Sequence, residues 1–263
     1  MSTQDQHKGL AIITGASRGI GAEYAKQLAI RGYSLILIAR DTDKLERVSD
    51  EISQTHHVEV STLCLDLSIV GAAHQMFVAA QNCSKPVDVL INNAGFGMYG
   101  EFVNMPLPRI QEMLQLHINS IVESTRLFLP PMIERQTGAI INVASVAGFF
   151  PIPYIAEYAA TKAFLISFSE AVAEEVRESG ITVQACCPGF TNTDFHKTAG
   201  HQPRNPLSPQ QSDQVVTTSL RALDAQLSHV TIGWQGWLSQ FASRMVPRRL
   251  LIRMAGNRTK PTA

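Results

Sequence analysis

What this chain lacks narrows its function before any motif is read. No stretch approaches the roughly 18 apolar residues that a membrane-spanning helix needs, and the opening MSTQDQHKG has no apolar segment of the kind a signal peptide carries. Over 263 residues the formal net charge is zero, which argues against a general role in binding nucleic acid, so no nucleic-acid partner is expected. The four cysteines, Cys64, Cys83, Cys186 and Cys187, form no C-x-x-C pair and no zinc spacing. Three of them fall in apolar or helical surroundings and read as small core residues in a reducing compartment. No His/Cys/Asp cluster has metal spacing either, so no metal is expected. A cytoplasmic protein fits these absences.

One absence is local. After Asp224 there is no acidic residue, while Arg244, Arg248, Arg249, Arg253, Arg258 and Lys260 all follow, so the tail carries +6 and the rest of the chain −6. Within it, GWQGWLSQFASRMVPRRLLIRM sets Trp234, Trp237, Leu238, Phe241, Met245 and Val246 on a helical apolar stripe. Residues 228–263 therefore read as a basic amphipathic extension. It would dock on a partner subunit, or rest peripherally on a membrane surface that supplies a greasy substrate; a solvated helix face is the plainest alternative.

What is present is an alternation. Apolar runs at 10–14, 34–39, 58–65, 87–92, 139–144 and 181–187, with a weaker one at 229–232, alternate with helical patterns at 19–31, 42–55, 69–82, 109–128, 156–178 and 209–224. Strand, helix, strand at this spacing predicts an α/β fold, a doubly wound parallel sheet of about seven strands with helices on both faces. Strands that are apolar throughout fit burial on both sides. With no repeat and no dividing linker, residues 1–263 are expected to form a single domain. The loosest stretch, 191–209, reads as a functional loop.

Between the first strand and the first helix stands TGASRGIG, Thr14 to Gly21. Its GASRG fits the G-x-S-x-G nucleophile elbow, which would make Ser17 an attacking group. An elbow also needs an oxyanion donor from an earlier strand-to-helix loop, and no loop precedes the first strand. A phosphate-binding turn needs only glycine where backbone meets anion and a helix starting at once. Gly15, Gly19 and Gly21 supply the first need and the helix from Ile20 the second.

From about residue 10 to 224 the chain resembles the short-chain dehydrogenase/reductase family, with its Rossmann-type sheet. The resemblance rests on T-G-x-x-x-G-x-G (Thr14, Gly15, Gly19, Gly21), Asp66 in CLDL, and N-N-A-G (Asn92, Asn93, Ala94, Gly95). It continues through Asn119 in HINS, Ser145 in NVASVAG, Y-x-x-x-K (Tyr158, Lys162) and P-G-x-x-x-T (Pro188, Gly189, Thr193). FGMYGEF, YAATKAF and CPGFT are similar to the branch acting on ketosteroids, ketoacyl groups and other lipophilic carbonyls. The resemblance implies a catalytic set of Asn119, Ser145, Tyr158 and Lys162, with Lys162 also on the nicotinamide ribose and Asn119 holding a water. It implies cofactor contacts from Gly15, Ser17, Arg18, Gly19, Ile20, Gly21, Asp66 (at the adenine), Asn92, Ala94, Gly95, Pro188, Gly189 and Thr193, besides Tyr158 and Lys162. It also implies a homodimer or homotetramer through the long helices.

The residue chemistry supports that reading. Tyr158 and Lys162, four apart, share one helix face. A tyrosine ionises near ~10 in water, and a nearby ammonium would lower that value toward use as an acid–base group. Ser145 would donate to the same carbonyl oxygen as negative charge develops there. Arg40 follows the second strand and Arg18 lies in the glycine turn, a pair suited to the extra phosphate of NADP; Asp41, next in line, keeps NAD as the alternative unless it caps the following helix. On the substrate side, Phe96, Met98, Phe149, Phe150, Ile152 and Tyr154 suit a lipophilic ketone or secondary alcohol, with Phe96, Ser145, Phe149 and Tyr158 as its contacts and 191–209 as a lid. His117 reads as a satisfied core histidine. A sensor that binds the dinucleotide without turnover is the competing class, disfavoured by the complete catalytic set.

Overall fold

LAIIT, buried at all five residues, forms β1 (Leu10–Thr14). The later apolar runs form β2 (Ser34–Ala39), β3 (Val60–Cys64), β4 (Val87–Asn92), β5 (Gly138–Val143), β6 (Ile181–Cys187) and β7 (His229–Thr231). The structure, a computed structural model, describes residues 9–191 and 209–260. The seven strands make one parallel sheet in the order β3-β2-β1-β4-β5-β6-β7. The chain thus builds outward from β1 to one edge, returns to β4, and builds to the other edge. Such a reversal leaves a crevice at the carboxyl ends of β1 and β4, where ligands bind in doubly wound sheets.

Among the described residues the α-helices are α1 (Gly19–Ile30), α2 (Thr42–His56), α3 (Ala72–Gln81), α4 (Leu107–Leu114), α5 (Ser120–Arg135), α6 (Ala156–Glu175), α7 (Ser212–Asp224), α8 (Gly233–Met245) and α9 (Arg248–Thr259). Alternate strand residues divide the core in two. Ala11, Ile13, Leu35 and Leu37 pack with Tyr24, Leu45 and Leu220 from α1, α2 and α7. Leu10, Ile12, Ile36 and Ile38 pack with Met76, Met113 and Phe128 from α3, α4 and α5. Buried polar groups tie the second layer to the sheet: Ser124 Oγ donates to Asn92 Oδ1 (3.1 Å), Asn92 Nδ2 to Asn142 Oδ1 (2.8 Å), and Asn142 Nδ2 to Ser169 Oγ (2.9 Å).

Two expectations need correction. β3 is not buried on both sides; Ser61, Thr62 and Cys64 are exposed because β3 is the sheet edge, with β2 as its one neighbour. Cys64 is therefore a surface residue and Cys83 half-buried, leaving Cys186 and Cys187 as the core cysteines. The single helix expected over 109–128 is three pieces: α4, a π-helical turn at Gln115–Asn119, and α5, which runs through Pro130 and Pro131. A π turn inserts an extra residue into the helical ladder and is common where a helix serves a site.

Candidate active site

The turn from β1 to α1 fits an anion. Gly15 and Gly19 sit at φ of 66° and 58°, a conformation that favours glycine. A Cβ on Gly21 would lie 2.2 Å from the Gly15 carbonyl oxygen, so the turn closes only around a glycine. α1 begins with no side-chain cap and no acidic residue in its first turn, leaving its first N–H groups to a ligand. Asn93 fastens this turn to β4: its Nδ2 donates to Thr14 O (2.9 Å), and Thr14 Oγ1 accepts from the N–H groups of Asn93 (2.9 Å) and Ala94 (3.0 Å). A dinucleotide phosphate fits this cradle, with Ser17, Arg18 and Ile20 on its rim.

Asn92 and Asn93 exchange the weight expected of them. The Asn92 side chain is buried and spent on Asn142 and Ser124, so only its backbone is left to face a cofactor. Ala94 and Gly95 follow at the crevice, and a Cβ on Gly95 would approach His117 Nε2 to 2.9 Å. Across the crevice, Pro188 O accepts from Val146 N (3.0 Å) and Gly189 N donates to Gln210 Oε1 (3.0 Å). Thr193 and residues 192–208 of the expected lid lie outside the described residues.

At the end of β2, Asp41 takes the capping role: its Oδ1 accepts from Lys44 N at 3.2 Å and its other oxygen pairs with the Lys44 ammonium. The Lys44 hydrogen bonds, with the charges of Lys44 and Arg18, hold this carboxyl below its usual range. Arg40 is exposed and reaches Glu112 (3.2 Å) and Asp66 (3.5 Å). Asp66 Oδ1 accepts from the N–H (2.9 Å) and hydroxyl (2.6 Å) of Ser68. Burial pushes the Asp66 carboxyl up, but Ser68 and Arg40 outweigh it and hold the group ionised. Two guanidiniums thus stand near the end of β2 with no carboxylate free to claim a ribose.

The structure brings Ser145, Tyr158 and Lys162 together at the carboxyl end of β5. Ser145 starts the short turn after β5, its Oγ accepting from Ala147 N (3.1 Å) and bonding Tyr158. Lys162, one turn along α6, donates to Val143 O (2.7 Å), with its Nζ 5.7 Å from the Tyr158 ring centre. Burial pushes the Tyr158 phenol up to about 12, the Ser145 bond acting in the opposite sense. Burial also draws Lys162 down to about 8. The expected lowering of Tyr158 by its lysine is thus reversed by desolvation.

Asn119 is not brought to this cluster. It is exposed, and its amide donates to Gln115 Oε1 (2.8 Å). His117, two residues earlier in the π turn, stands there instead, wholly buried with its ring 5.9 Å from that of Tyr158. Its Nε2 accepts from Phe96 N (3.1 Å), which places the proton on Nδ1, and Nδ1–H donates to Thr161 Oγ1 (3.1 Å). Thr161 in turn donates to Tyr158 O (2.8 Å). Burial and the Lys162 charge hold His117 neutral, well below an ordinary imidazole. Its apolar helical surroundings marked it as a core residue; nothing in them pointed to the catalytic helix.

Of the expected substrate contacts, Phe149 is half-buried and stacks on His229 (5.9 Å). Phe96 is buried instead, edge-on to His117 and beneath the Arg109 guanidinium (4.4 Å). Its ring packs in the core, and its backbone borders the crevice. Tyr154 holds a φ of 67°, and its carbonyl accepts from Gly100 N (2.9 Å), joining the two apolar segments beside Ser145. Among the described residues no group of three His, Cys, Asp or Glu is placed to hold a metal.

Known proteins resemble this chain in sequence and in fold. The family model described as short chain dehydrogenase matches residues 9–204. The very-long-chain 3-oxoacyl-CoA reductase of Macaca fascicularis is 35% identical over 235 residues, covering 85% of this chain and 73% of that protein. The Bos taurus reductase of the same name is 37% identical over 191 residues, covering 71% of this chain and 61% of the relative. A short-chain dehydrogenase from Sphingobium yanoikuyae, solved in complex with NADPH, superposes with a TM-score of 0.82 at 29% identity, covering 97% of this chain and 98% of that one. A likeness that spans the crevice and the helices behind it leaves one assignment: the chain belongs to the short-chain dehydrogenase family and is an oxidoreductase.

Proposed function

We propose that the protein is an NADPH-dependent reductase of lipophilic ketones, with 3-oxoacyl thioesters as the substrate class and Tyr158 as the acid. The observation that carries this reading is the placement of the Tyr158 phenol beside Ser145 and Lys162 at the carboxyl end of β5. Buried and protonated at neutral pH, this phenol can give its proton to a carbonyl oxygen, and in the reverse step its phenolate can take one from an alcohol. The nicotinamide, when bound, supplies the hydride that the carbonyl carbon receives. Ser145 Oγ–H would donate to the carbonyl oxygen as its charge grows, and Tyr158 would complete the alcohol by transferring its proton there. Lys162 would then face the phenolate left behind, at a distance where its positive charge stabilises it.

Preference for NADPH rests on Arg18 and Arg40 with Asp41 committed to the α2 cap. The dinucleotide would lie over the glycine turn, with Asp66, Ala94, Gly95, Pro188 and Gly189 along its length. The relatives' named substrates, together with apolar segments around Phe149, support a fatty chain on the ketone. The chain acts as one domain over 1–263, with 228–263 as its extension. Exposed Phe164 (38%) on α6 and Ile133 (37%) on α5 support a homodimer or homotetramer through those helices. Four unpaired cysteines fit a reducing, cytoplasmic setting.

The test is NADPH oxidation over a panel running from small diketones through steroids to long 3-oxoacyl thioesters, with Tyr158→Phe alongside. Turnover should rise with apolar chain length, fall at least a thousandfold in the variant, and fail with NADH. Equal use of NADH, or full activity in Tyr158→Phe, would overturn the reading.

A further inference from the structure

Helix α8 is built inside out. Trp234, Trp237, Leu238, Phe241 and Met245 are 67%, 66%, 54%, 51% and 68% exposed. At 100° per residue these five fall within an arc of about 100°, one continuous stripe. The small and polar side of the helix faces the protein. Gly236 is buried against Thr231 and Val146, where a Cβ would meet the Thr231 methyl at 2.7 Å. Gln240 accepts from Thr231 Oγ1 (3.1 Å) and bonds His229 (3.3 Å). An ordinary surface helix does the reverse, so the stripe needs a cover.

Charge selects the cover. α9 continues the surface with Leu250 (49%) and Met254 (52%) exposed, while Leu251 holds it to the body. Arg244, Arg248, Arg249, Arg253, Arg258 and Lys260 are all exposed, and none pairs with an acidic residue among the described residues. A second copy applied to this face by a twofold axis would set six cations against six. A nucleic acid would leave the tryptophans and Phe241 in water. An apolar stripe containing tryptophan, edged by arginines, matches the boundary between headgroups and acyl chains of an anionic bilayer.

We infer that α8 and α9 seat the protein peripherally on an anionic lipid surface. No described helix is long and apolar enough to cross a membrane, so the contact is with one leaflet. The same helices border the segment after Ser145: α8 rests on Val146, and on α9 Gly256 packs against Pro153 while Thr259 Oγ1 donates to Pro153 O (2.9 Å). Docking would therefore place the apolar wall of the site beside the bilayer, a route for a lipophilic ketone to enter from the membrane. That last step rests on the proposed substrate class; the docking itself does not.

Trp234 and Trp237 are the chain's only tryptophans, so tryptophan emission, excited selectively over the five tyrosines, reports on this stripe alone. The full-length protein is mixed with phosphatidylcholine vesicles, with or without phosphatidylglycerol, and followed by emission and by flotation. Anionic vesicles should shift the emission to the blue and float the protein, raised salt should weaken both, and neutral vesicles should do neither. At about fivefold in affinity per surface cation, Arg248→Gln with Arg249→Gln should weaken flotation roughly 25-fold. Phe241→Ser with Met245→Ser should abolish flotation, while turnover of a small water-soluble ketone stays unchanged and certifies the fold. Absence of any blue shift with anionic vesicles would overturn the inference. So would concentration-dependent self-association that the Phe241→Ser and Met245→Ser protein loses, which would assign the stripe to a second copy. Flotation reads binding without turnover, so a wrong substrate class cannot imitate either result.

Discussion

Acidification should destabilise this protein through His117, and the size of the loss can be worked from its bonds. The ring is wholly buried, with Nε2 accepting from Phe96 N and Nδ1–H donating to Thr161 Oγ1. A second proton would have to displace the Phe96 bond and sit near Lys162, whose charge already opposes it along with burial. The native pKa is therefore depressed, while the unfolded chain titrates near ~6.5. Below that pH the unfolded state takes a proton that the native state refuses, so stability falls as pH falls. One such site costs nothing at pH 7.5, about 1.4 kcal/mol by pH 5.5, and about 2.7 kcal/mol by pH 4.5 if the native ring is still neutral there. His117→Gln removes the titration while an amide can still accept from Phe96 and donate to Thr161. Urea midpoints for both proteins at pH 7.5 and 5.5, at one protein concentration, isolate the term, since other groups titrate in both. The wild type should lose about 1.4 kcal/mol more than the variant. Equal losses would mean that His117 accepts a proton in the native state, and the bonding pattern assigned to it would be wrong.

Three further outcomes follow from the same geometry. Lys162, drawn down to about 8 by burial, loses its charge above that pH, so kcat/KM for ketone reduction should fall with an alkaline limb near 8; a limb displaced to the ordinary lysine range would contradict the burial. Asn142→Ala strands the buried amide N–H of Asn92, while Ser169 keeps its bond to Leu165 O, and with the cavity left behind should cost about 3 kcal/mol in denaturant unfolding. Arg40→Ala should weaken NADPH binding roughly tenfold or more and leave NADH almost unaffected, measured by titration of nicotinamide fluorescence.

The elements were legible because each rests on a local pattern. β1, β2, β4 and β6 fall where their apolar runs place them, and the glycine turn and the Y-x-x-x-K pair need only neighbours in sequence. What stayed hidden depended on tertiary placement. VEVSTLCL does carry a trace of its exposure in Glu59, Ser61 and Thr62, but only the strand order shows it to be the sheet edge. Asn92 and Asn93 are adjacent at a strand end, where successive side chains point to opposite sides, so one enters the core network and the other fastens the glycine turn.

The exchange of Asn119 for His117 has the same origin, and it bears on the chemistry. Two residues on a regular helix are about 200° apart, so only one of them can face α6. Which one does so is decided by the π turn at Gln115–Asn119, whose extra residue shifts the phase of everything that follows. That turn carries an imidazole with both nitrogens committed, one to the Phe96 backbone and one through Thr161 to the carbonyl of Tyr158. A side chain so engaged offers no free donor or acceptor toward the crevice. The same bonds hold Phe96, at the edge of the crevice, to the helix that carries the acid. His117 is thus a brace between crevice and acid, which explains why a titratable ring is kept neutral in so dry a place.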